Sequence, residues 1–364
     1  MNHPVFEWSC VAAEHPVLFD TRRSAPTIHG LPEEANMRVF VYEFATGGGF
    51  AGQTLHSNLV REGDLMLQAL VSDLVACPGI DVLVSRDARL PPLRQSVDTY
   101  WVDAYHPPSD VWDSCLDATD AVWPIAPETG GILERVCRSV SSANRILLNT
   151  GAAAVAIAAS KYATVTQLRA RGIPTIATWK MDKLPNLTGE AWVLKPDRGE
   201  GCGNTRLVRS LDNLPYGDPD WVLQPYVPGQ AASLSLLAYG GLVRVLGRNR
   251  QRVVLIDDRF SLLGCVVNGL DADHEKLDTL ARAVVAALPG LRGYVGVDFI
   301  VTAQGPLVLE VNPRLTLSYV GLSRSLSCNV AALVLNQLTQ QEPLPFALGQ
   351  MDSVDVEVGA SHAV

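Results

Sequence analysis

Residues 293–314 read Gly-Tyr-Val-Gly-Val-Asp-Phe-Ile-Val-Thr-Ala-Gln-Gly-Pro-Leu-Val-Leu-Glu-Val-Asn-Pro-Arg. Two apolar, β-branched runs flank a short polar turn, which predicts a β-hairpin. If the hairpin folds about Gln304, Asp298 lies opposite Glu310, and Asn312 shares their face. Like charges across a hairpin repel unless a cation lies between them, and three hard oxygen ligands favour Mg²⁺. A solvated hairpin face is the alternative, because a register slip of one residue would separate the three side chains.

Length and composition restrict the class of protein. The chain has 364 residues, 48% hydrophobic and 18% charged, which predicts two or three domains with buried cores. Its net charge of −9 argues against a nucleic-acid partner. No apolar run reaches the roughly 18 residues that span a bilayer, so no membrane partner is expected. The seven cysteines show no paired spacing, which argues against a zinc site or a disulfide framework and favours a cytoplasmic location.

The pattern along the chain predicts its organisation. Residues 1–36 show little periodicity and are predicted to be an N-terminal extension, while residues 343–364 are expected to form a loosely held tail. Strands and helices alternate over residues 37–150, which predicts an α/β domain with a parallel sheet. The carboxyl ends of its strands would form the ligand crevice.

A glycine-rich turn, Thr-Gly-Gly-Gly-Phe-Ala-Gly, follows the first predicted strand at residues 46–52. It contains the G-x-G-x-x-G spacing of dinucleotide-binding turns, whose glycines lead directly into a helix. Here the helical pattern begins only near Glu62, so a turn beside a substrate pocket is the better interpretation. Gly47, Gly48 and Gly49 are the candidates to line that pocket. A nicotinamide-dependent oxidoreductase remains the alternative.

A second glycine-rich turn, with Gly199, Gly201 and Gly203, follows a predicted strand that ends near Lys195. Glycines let backbone N–H groups approach an anion closely, and the lysine can neutralise it, so the pattern indicates a phosphate-binding loop. It is not of the Walker type, since G-x-x-x-x-G-K-[ST] does not occur in the chain. Taken alone, a flexible hairpin turn would explain it equally well.

Three other features are ambiguous on their own. Residues 221–229 form an apolar strand broken by two prolines, whose unpaired amides suit the edge of a purine ring or simply mark a linker. Arg248 and Arg250 belong to a basic run that could bind carboxylates, although an exposed strand face explains most such runs. Lys161 lies beside the apolar stripe of a helix predicted over residues 151–172, where a solvated lysine is the default interpretation.

Five elements, taken in order and spacing, resemble the ATP-grasp superfamily. They are Lys161 before Gly-Ile-Pro, Lys195 in Val-Leu-Lys-Pro before the glycine loop, Gln224 in Val-Leu-Gln-Pro-Tyr-Val, Asp298 in Gly-Val-Asp-Phe, and Glu310 in Leu-Glu-Val-Asn-Pro-Arg. The resemblance implies an ATP-grasp fold of the α+β type over residues 151–342, with a small lid subdomain at about 176–223. The preceding α/β domain resembles the pre-ATP-grasp domain that usually accompanies it.

The resemblance also implies the chemistry of the site. ATP and Mg²⁺ would be the cofactors, with Mn²⁺ able to substitute for Mg²⁺. The implied roles are ATP binding for Lys161, Lys195, Gly199, Gly201, Gly203, Gln224, Pro225, Tyr226 and Val227, metal binding for Asp298, Glu310 and Asn312, and catalysis for Arg314 and Lys195.

Two positions depart from the pattern of the superfamily. Many members carry a glutamate for the ribose hydroxyls shortly after the adenine segment, where this chain offers Gln230 or Ser233 instead. D-Alanine ligases carry an arginine two residues before the residue equivalent to Asp298, where this chain has Gly296. The second departure counts against a dipeptide ligase of that type.

Further motifs resemble the ATP-grasp enzymes that join tyramine to glutamate in methanofuran-type cofactor synthesis. They begin at Val39 (Val-Phe-Val-Tyr-Glu-Phe-Ala-Thr-Gly-Gly-Gly), Ile125 (Ile-Ala-Pro-Glu-Thr) and Asn312 (Asn-Pro-Arg-Leu-Thr-Leu-Ser-Tyr-Val-Gly-Leu). This resemblance implies an ADP-forming ligase that phosphorylates the side-chain carboxylate of L-glutamate and passes the acyl group to tyramine or a similar amine.

For the glutamate reaction, the substrate contacts are hypotheses. Arg248 or Arg250 would bind the glutamate carboxylates, while the first glycine turn, Ser318 and Tyr319 would line the acceptor pocket. A ligase for another amino acid or peptide and an ATP-dependent small-molecule kinase are the remaining alternatives. A homodimer is left open.

Overall fold

The computed structural model of the protein describes residues 36–187, 189–199, 202, 204–212, 214–340 and 351–358. The predicted N-terminal extension, apart from its last residue, lies outside them, as do Gly201 and Gly203. In the part of the chain that the structure describes, no helix has both the length and the apolar character of a membrane span.

A five-stranded parallel sheet forms the first half of the molecule, as the alternation of strands and helices predicts. Its strands are β1 (Met37–Glu43), β2 (Ile80–Asp87), β3 (Asp98–Val102), β4 (Ala121–Ile125) and β5 (Ile146–Leu147), in the spatial order β3-β2-β1-β4-β5. Its helices are α1 (Ser57–Val75), α2 (Pro108–Asp117) and α3 (Ile132–Ser142).

The central strand β1 is buried on both faces. Val39 and Val41 pack into the same core as α1, whereas Phe40 packs into the core that contains α2 and α3. Burial on both faces explains why β1 reads as a continuous apolar run. The sequence pattern predicts neither β3 nor α2, because β3 is an edge strand with mostly exposed or half-buried residues.

The strand order reverses at β1, which pairs with β2 on one side and with β4 on the other. Open parallel sheets bind ligands outside the carboxyl ends of the strands at such a point. Here that crevice lies beyond Glu43 of β1 and Ile125 of β4. The glycine turn at residues 46–52 leaves β1, but α1 begins only after His56. The turn therefore does not lead directly into a helix as a dinucleotide-binding turn does.

The prediction of one continuous helix over residues 151–172 is wrong, because two shorter helices occupy this segment. They are α4 (Ala152–Ala158) and α5 (Lys161–Arg169). Ser160 caps α5, since its Oγ accepts a hydrogen bond from Ala163 N and donates one to Asp197 Oδ2 at 2.7 Å. The break makes Lys161 the first residue of α5 and buries it.

The second half of the molecule is an antiparallel sheet. Its strands are β6 (Trp179–Lys180), β7 (Trp192–Pro196), β8 (Arg206–Val208), β9 (Trp221–Pro225), β10 (Gln230–Tyr239), β11 (Leu242–Ile256), β12 (Arg259–Val267), β13 (Gly293–Thr302) and β14 (Gly305–Asn312), in the order β14-β13-β10-β11-β12-β8-β7-β9-β6.

Helices cover both faces of the part of this sheet that contains the predicted metal ligands. On one face, α5 and α6 (His274–Ala287) share a core with β10, β13 and β14. On the other, α7 (Tyr319–Leu326) and α8 (Val330–Leu335) share a core with α1 of the first sheet. The combination of a parallel α/β domain with a following α+β domain confirms the predicted fold class.

The β13–β14 hairpin has a two-residue turn, with Thr302 paired to Gly305. The regular ladder continues to the pair Phe299–Val308, where the register shifts by one residue. Leu309 is the extra residue of this β-bulge, and the next pair is Asp298–Glu310. The predicted register is therefore confirmed at the two acids, although the turn and the bulge together produce it.

Packing accounts for the bulge. Val308 and Val311 both lie in the core shared with α6, although they are three positions apart. In a regular strand, residues on one face are separated by two positions. The extra residue lets both valines stay buried while Glu310 joins Asp298 on the opposite face.

The C-terminal segment differs from the loosely held tail that we expected. Strand β15 (Val354–Glu357) pairs antiparallel with β12, and Val354, Val356 and Val358 are buried against α7 and the neighbouring core. The alternation Val-Asp-Val-Glu-Val is the period of a half-buried strand and is a signal that could have predicted it.

Candidate functional site

The three predicted metal ligands come together at the hairpin. Asp298 and Glu310 are directly opposite, and Asn312 Nδ2 donates a hydrogen bond to Asp298 Oδ2 at 3.1 Å. Gln251 of β11 contributes a fourth polar side chain, because its Nε2 donates to Asp298 Oδ1 at 3.0 Å. All four line one pocket on the face of the sheet turned toward the first domain.

Two buried lysines belong to the same cluster. Lys161 Nζ lies 3.1 Å from Glu310 Oε2 and donates to the backbone oxygen of Gly199 at 2.8 Å. Lys195 stands at the end of β7, where burial, together with the charge of Lys161, lowers its pKa to about 8 although Glu310 opposes the shift. The structure thus gathers the lysine of the helix start, the lysine of the strand and the acids of the hairpin.

The pKa values of the two acids in the cluster are shifted in opposite directions. Burial and the charge of Glu310 raise the pKa of Asp298 to about 7. Burial also opposes ionisation of Glu310, but the charges of Lys161 and Lys195 lower its pKa below the usual value. Glu310 is therefore ionised at neutral pH, while Asp298 is ready to ionise when a cation approaches.

The donor set fits Mg²⁺. The possible ligands are the carboxylates of Asp298 and Glu310 and the side-chain amide of Asn312. Among the described residues, no group of three His, Cys, Asp or Glu side chains offers an alternative metal site. Mg²⁺ takes hard oxygen ligands, usually one or two carboxylates, and keeps its other positions for water and substrate phosphates. Two opposed carboxylates with a perturbed pKa are also the arrangement that a cation would stabilise.

Arg314 is held by an acid from the first domain. Its Nε and Nη2 donate to the two carboxylate oxygens of Glu128, each at 2.9 Å, and its Nη1 donates to the Leu315 oxygen at 3.1 Å. Both side chains of the pair are buried. A bidentate pair fixes the plane of the guanidinium, so Glu128 orients Arg314 toward the cluster. The sequence alone does not pair them, because they are far apart in the chain.

Arg314 and Glu62 line two adjoining pockets. The first also contains the residues at the ends of β1 and β4, and the second contains Asp298, Glu310 and Asn312. The ligand crevice of the parallel sheet therefore meets the acidic cluster at the Arg314 side chain.

A network of hydroxyl groups supports the second pocket. Ser318 Oγ is within 3.1 Å of the hydroxyl oxygens of Ser235, Thr316 and Tyr294. Asn249 Nδ2 donates to Ser235 Oγ at 3.0 Å. Ser318, a predicted substrate contact, and Thr316 both line the pocket.

Other predicted residues lie elsewhere. The Arg248 guanidinium pairs with Asp278 of α6, and Arg250 is exposed on the same strand, so neither lines the two pockets. Tyr319 is buried, and its hydroxyl donates to Asp73 Oδ2 of α1 at 2.8 Å. The structure does not bring these three side chains to the cluster.

The predicted adenine segment lies at the end of β9. Gln224 is buried and its Nε2 donates to Thr178 Oγ1 at 2.8 Å, while Tyr226 N donates to the Ala191 oxygen at 3.0 Å. Pro225 ends the strand, and Val227 follows it. One backbone amide of the segment is thus already bonded within the protein.

The first glycine turn borders the crevice without lining it. Phe44, Ala45 and Phe50 line the first pocket, whereas the glycines between them make the tight turn. A Cβ on Gly47 would lie 2.5 Å from the Glu43 oxygen, and one on Gly49 would lie 2.4 Å from the Phe44 ring. The glycines are therefore needed for packing.

Gly296 has a packing reason as well. A Cβ at this position would lie 2.7 Å from Thr316 Cγ2. An arginine could not occupy it unless Thr316 moved, so the second pocket differs here from the D-alanine ligase pattern.

Two buried acids were missed in the sequence. Asp197 follows Lys-Pro in β7, accepts hydrogen bonds from Ser160 Oγ and Tyr162 N, and so holds the start of α5 at the site. Glu43 ends β1, where its carboxylate accepts hydrogen bonds from Ala45 N, Thr46 N and Thr46 Oγ1. Both acids could have been identified from the sequence, because each is a charged residue at the end of an apolar strand.

We expect Glu43 to impose a pH dependence on stability. Burial raises its pKa from 4.5 to about 7 despite its hydrogen bonds. A raised pKa stabilises the fold fully below the unfolded value, and this contribution is lost as pH rises through the folded value. The free energy of unfolding of wild type relative to Glu43→Gln should therefore fall by about 3 kcal/mol between pH 4.5 and 7.

Urea unfolding of both proteins at each pH measures this difference, because the other titrating groups are common to both. Parallel stability curves across this range would contradict the assignment.

Comparisons with known proteins agree with this architecture. Residues 158–318 match the family model of the ATP-grasp domain, and residues 80–155 match that of the pre ATP-grasp 3 domain. The tyramine–L-glutamate ligase of Methanocaldococcus jannaschii is 24% identical over 315 residues, which cover 84% of this chain and 90% of that protein.

Solved structures show the same fold. An ATP-grasp superfamily protein from Archaeoglobus fulgidus has a TM-score of 0.66 and 22% identity over 88% of this chain and 99% of its own. The L-amino acid ligase of Bacillus licheniformis has a TM-score of 0.59 and 14% identity over 84% of this chain and 74% of its own. The chain therefore has the ATP-grasp fold, with a pre-ATP-grasp domain at residues 80–155 preceding an ATP-grasp domain at residues 158–318.

Proposed function

We propose that this protein joins the side-chain carboxylate of L-glutamate to tyramine or a closely similar amine, with cleavage of ATP to ADP and phosphate. The observation that carries the proposal is the pocket lined by the opposed acids of the hairpin and by the fixed Arg314. Lys161 forms an ion pair with one of these acids, Glu310, and Lys195 is buried close enough to feel the charge of the same acid. The pocket is a site for the charge of a phosphoryl group in transfer. The name of the Methanocaldococcus jannaschii relative supports the choice of substrates.

The protein is an ATP-dependent carboxylate–amine ligase, and its residues supply position and charge. A carboxylate is a poor electrophile at neutral pH, so the γ-phosphoryl group of ATP is transferred to it first. Lys161 and Lys195 would bind the phosphates of ATP, and Arg314 would bind the phosphoryl group as it reaches the carboxylate. No nucleophilic side chain is needed.

Asp298, Glu310 and Asn312 would hold Mg²⁺, and Mn²⁺ would bind the same oxygen ligands. The metal would neutralise charge on the phosphates. The lowered pKa of Lys195 marks the low polarity of its surroundings, in which a charge on the substrate interacts more strongly than in water. In the second step the amine attacks the acyl phosphate and phosphate leaves.

The test is product formation with isotopic labelling. We expect ADP, phosphate and glutamyl tyramide only when ATP, Mg²⁺, L-glutamate and tyramine are all present, with the amide identified by mass. Glutamate labelled with ¹⁸O in its side-chain carboxylate should deliver one ¹⁸O atom to the phosphate released, as an acyl phosphate requires.

Three outcomes would contradict this proposal. Accumulation of a phosphorylated product with no dependence on the amine would indicate a kinase. Amide formation with ¹⁸O absent from the phosphate would exclude the acyl phosphate. Protection against thermal unfolding by NAD but not by ATP with Mg²⁺ would favour the oxidoreductase alternative.

A further inference from the structure

The first pocket lies at the switch point of the parallel sheet, outside the carboxyl ends of β1 and β4. Its apolar wall is formed by side chains from three separate segments. They are Phe44 and Phe50 around the glycine turn, Leu59 and Met66 on α1, and Ile125 at the end of β4. Such a wall matches one aromatic ring or a similar apolar body.

The aromatic side of this wall is fixed in place. The Phe44 and Phe50 rings meet edge to face with centroids 5.3 Å apart. Arg89 holds the turn, because its Nη2 donates to the Phe50 oxygen at 2.8 Å and its Nη1 donates to the Gln53 oxygen at 2.6 Å. A preorganised wall loses little freedom when a ligand binds.

The charges of the pocket select an amine over an acid. Its described lining includes two acids, Glu62 and Glu43, of which Glu43 has a pKa raised to about 7, and one cation, Arg314, which forms an ion pair with a third acid, Glu128. A dicarboxylate substrate would therefore meet like charge there, while an ammonium group would be attracted.

The position of Glu62 gives the bound amine a direction. Glu62 and Arg314 are the two described residues that line both pockets, whereas Glu43 and the aromatic wall border only the first. An ammonium group beside Glu62 would point into the second pocket, with its apolar body behind it among the phenylalanines.

We propose that this pocket is the acceptor site for an arylalkyl amine, with its ring against Phe44, Phe50, Leu59 and Met66 and its ammonium group at Glu62. The inference rests on the proposed ligase function and adds a catalytic role for Glu62. Glu62 takes one proton from the ammonium, and the neutral nitrogen attacks the acyl carbon. The C–N bond forms, the C–O bond to phosphate breaks, and the second proton leaves with the phosphate.

Hydroxylamine separates the two proposals experimentally. It is small and largely uncharged at neutral pH, so it can trap an acyl phosphate as a hydroxamate without an aromatic pocket or a carboxylate to deprotonate it. Hydroxamate formation by wild type with ATP, Mg²⁺ and glutamate therefore tests the ligase chemistry. Its absence, together with absence of the tyramine amide, would overturn both proposals.

The pocket is tested by the ratio of kcat/KM for tyramine to kcat/KM for hydroxylamine. Phe50→Ala should lower this ratio at least ~10-fold, because the ring loses apolar contact. Leu59→Trp should lower it as well by filling the pocket, and it covers the case in which Phe50→Ala folds poorly. Glu62→Gln should lower the ratio roughly 100-fold through loss of the general base.

Matched variants control for side-chain loss. Tyr105→Ala removes an exposed aromatic ring, and Glu275→Gln neutralises an exposed acid, both outside the two pockets. Neither should change the ratio. Tyramine binding without ATP, measured by calorimetry, should weaken in Phe50→Ala and Leu59→Trp but not in Tyr105→Ala. Wild-type ratios and tyramine affinity in the three pocket variants would overturn the acceptor site while leaving the ligase function intact.

Discussion

Glu310→Gln is expected to lower kcat for amide formation by roughly 10²- to 10³-fold, the size of effect that follows removal of one preorganised electrostatic contact. Glu310 is the acid that stays ionised at neutral pH, and it lies both opposite Asp298 and 3.1 Å from Lys161. Its neutral amide would weaken metal binding and release Lys161 from its ion pair.

Stability should change much less than activity in this variant. Loss of Glu310 leaves Lys161 without that carboxylate, which is unfavourable, but it also removes the like charge that raises the pKa of Asp298. Asp298 can then ionise and compensate for part of the lost charge. The thermal midpoint should therefore stay near that of wild type.

The measurement is steady-state kinetics at several Mg²⁺ concentrations, together with thermal unfolding. Glu275→Gln on the exposed face of α6 is the control for a change of one charge and should behave as wild type. Near-normal turnover in Glu310→Gln at limiting Mg²⁺ would remove Glu310 from the metal site.

Glu128→Gln is expected to destabilise the protein by about 3–5 kcal/mol, which is typical when one partner of a buried ion pair is removed. The amide cannot replace both charge-assisted bonds to Arg314, and Arg314 stays buried. Activity should fall as well, because the guanidinium is no longer fixed in its plane.

Arg314→Lys separates orientation from charge. It keeps the positive charge but cannot form the bidentate pair, so kcat should fall by about 10²-fold while stability falls less than in Glu128→Gln. Urea unfolding and kinetics of both single variants and the double variant give the coupling between the two residues. Additive effects on stability would show that the pair is not coupled and would contradict this account.

The fold could be predicted where the sequence pattern is strong. The buried apolar run of β1 and the alternation of strands with helices predict the parallel sheet. The two apolar runs on either side of a polar turn predict the pairing of β13 with β14. The edge strand β3 could not be found, because its side chains are mostly outside the core. The break between α4 and α5 was missed, because Ser160 acts as a cap only once Asp197 is beside it.

The residues of the site that lie in short sequence motifs could be predicted. Lys161, Lys195, Asp298, Glu310 and Asn312 were named from motifs, and the structure brings them together, although their roles stay predictions. Arg248 was a poor candidate, because the pattern of a strand does not reveal that its partner Asp278 lies on a helix behind it. Glu128, Gln251 and Glu62 come from distant segments, and only the tertiary structure places them at the cluster.

The bulge at Leu309 determines which residues of the hairpin can lie opposite each other. A two-residue turn places opposite each other residues that are an odd number of positions apart, yet Asp298 and Glu310 are separated by an even number. One extra residue somewhere in the hairpin is therefore obligatory, and this chain places it beside the acids. Deletion of Leu309 with insertion of one residue in the turn would keep the same separation in an unbulged ladder. A single insertion or deletion between Asp298 and Glu310 would therefore move the two acids out of register, and only a second change of the opposite kind would restore their pairing.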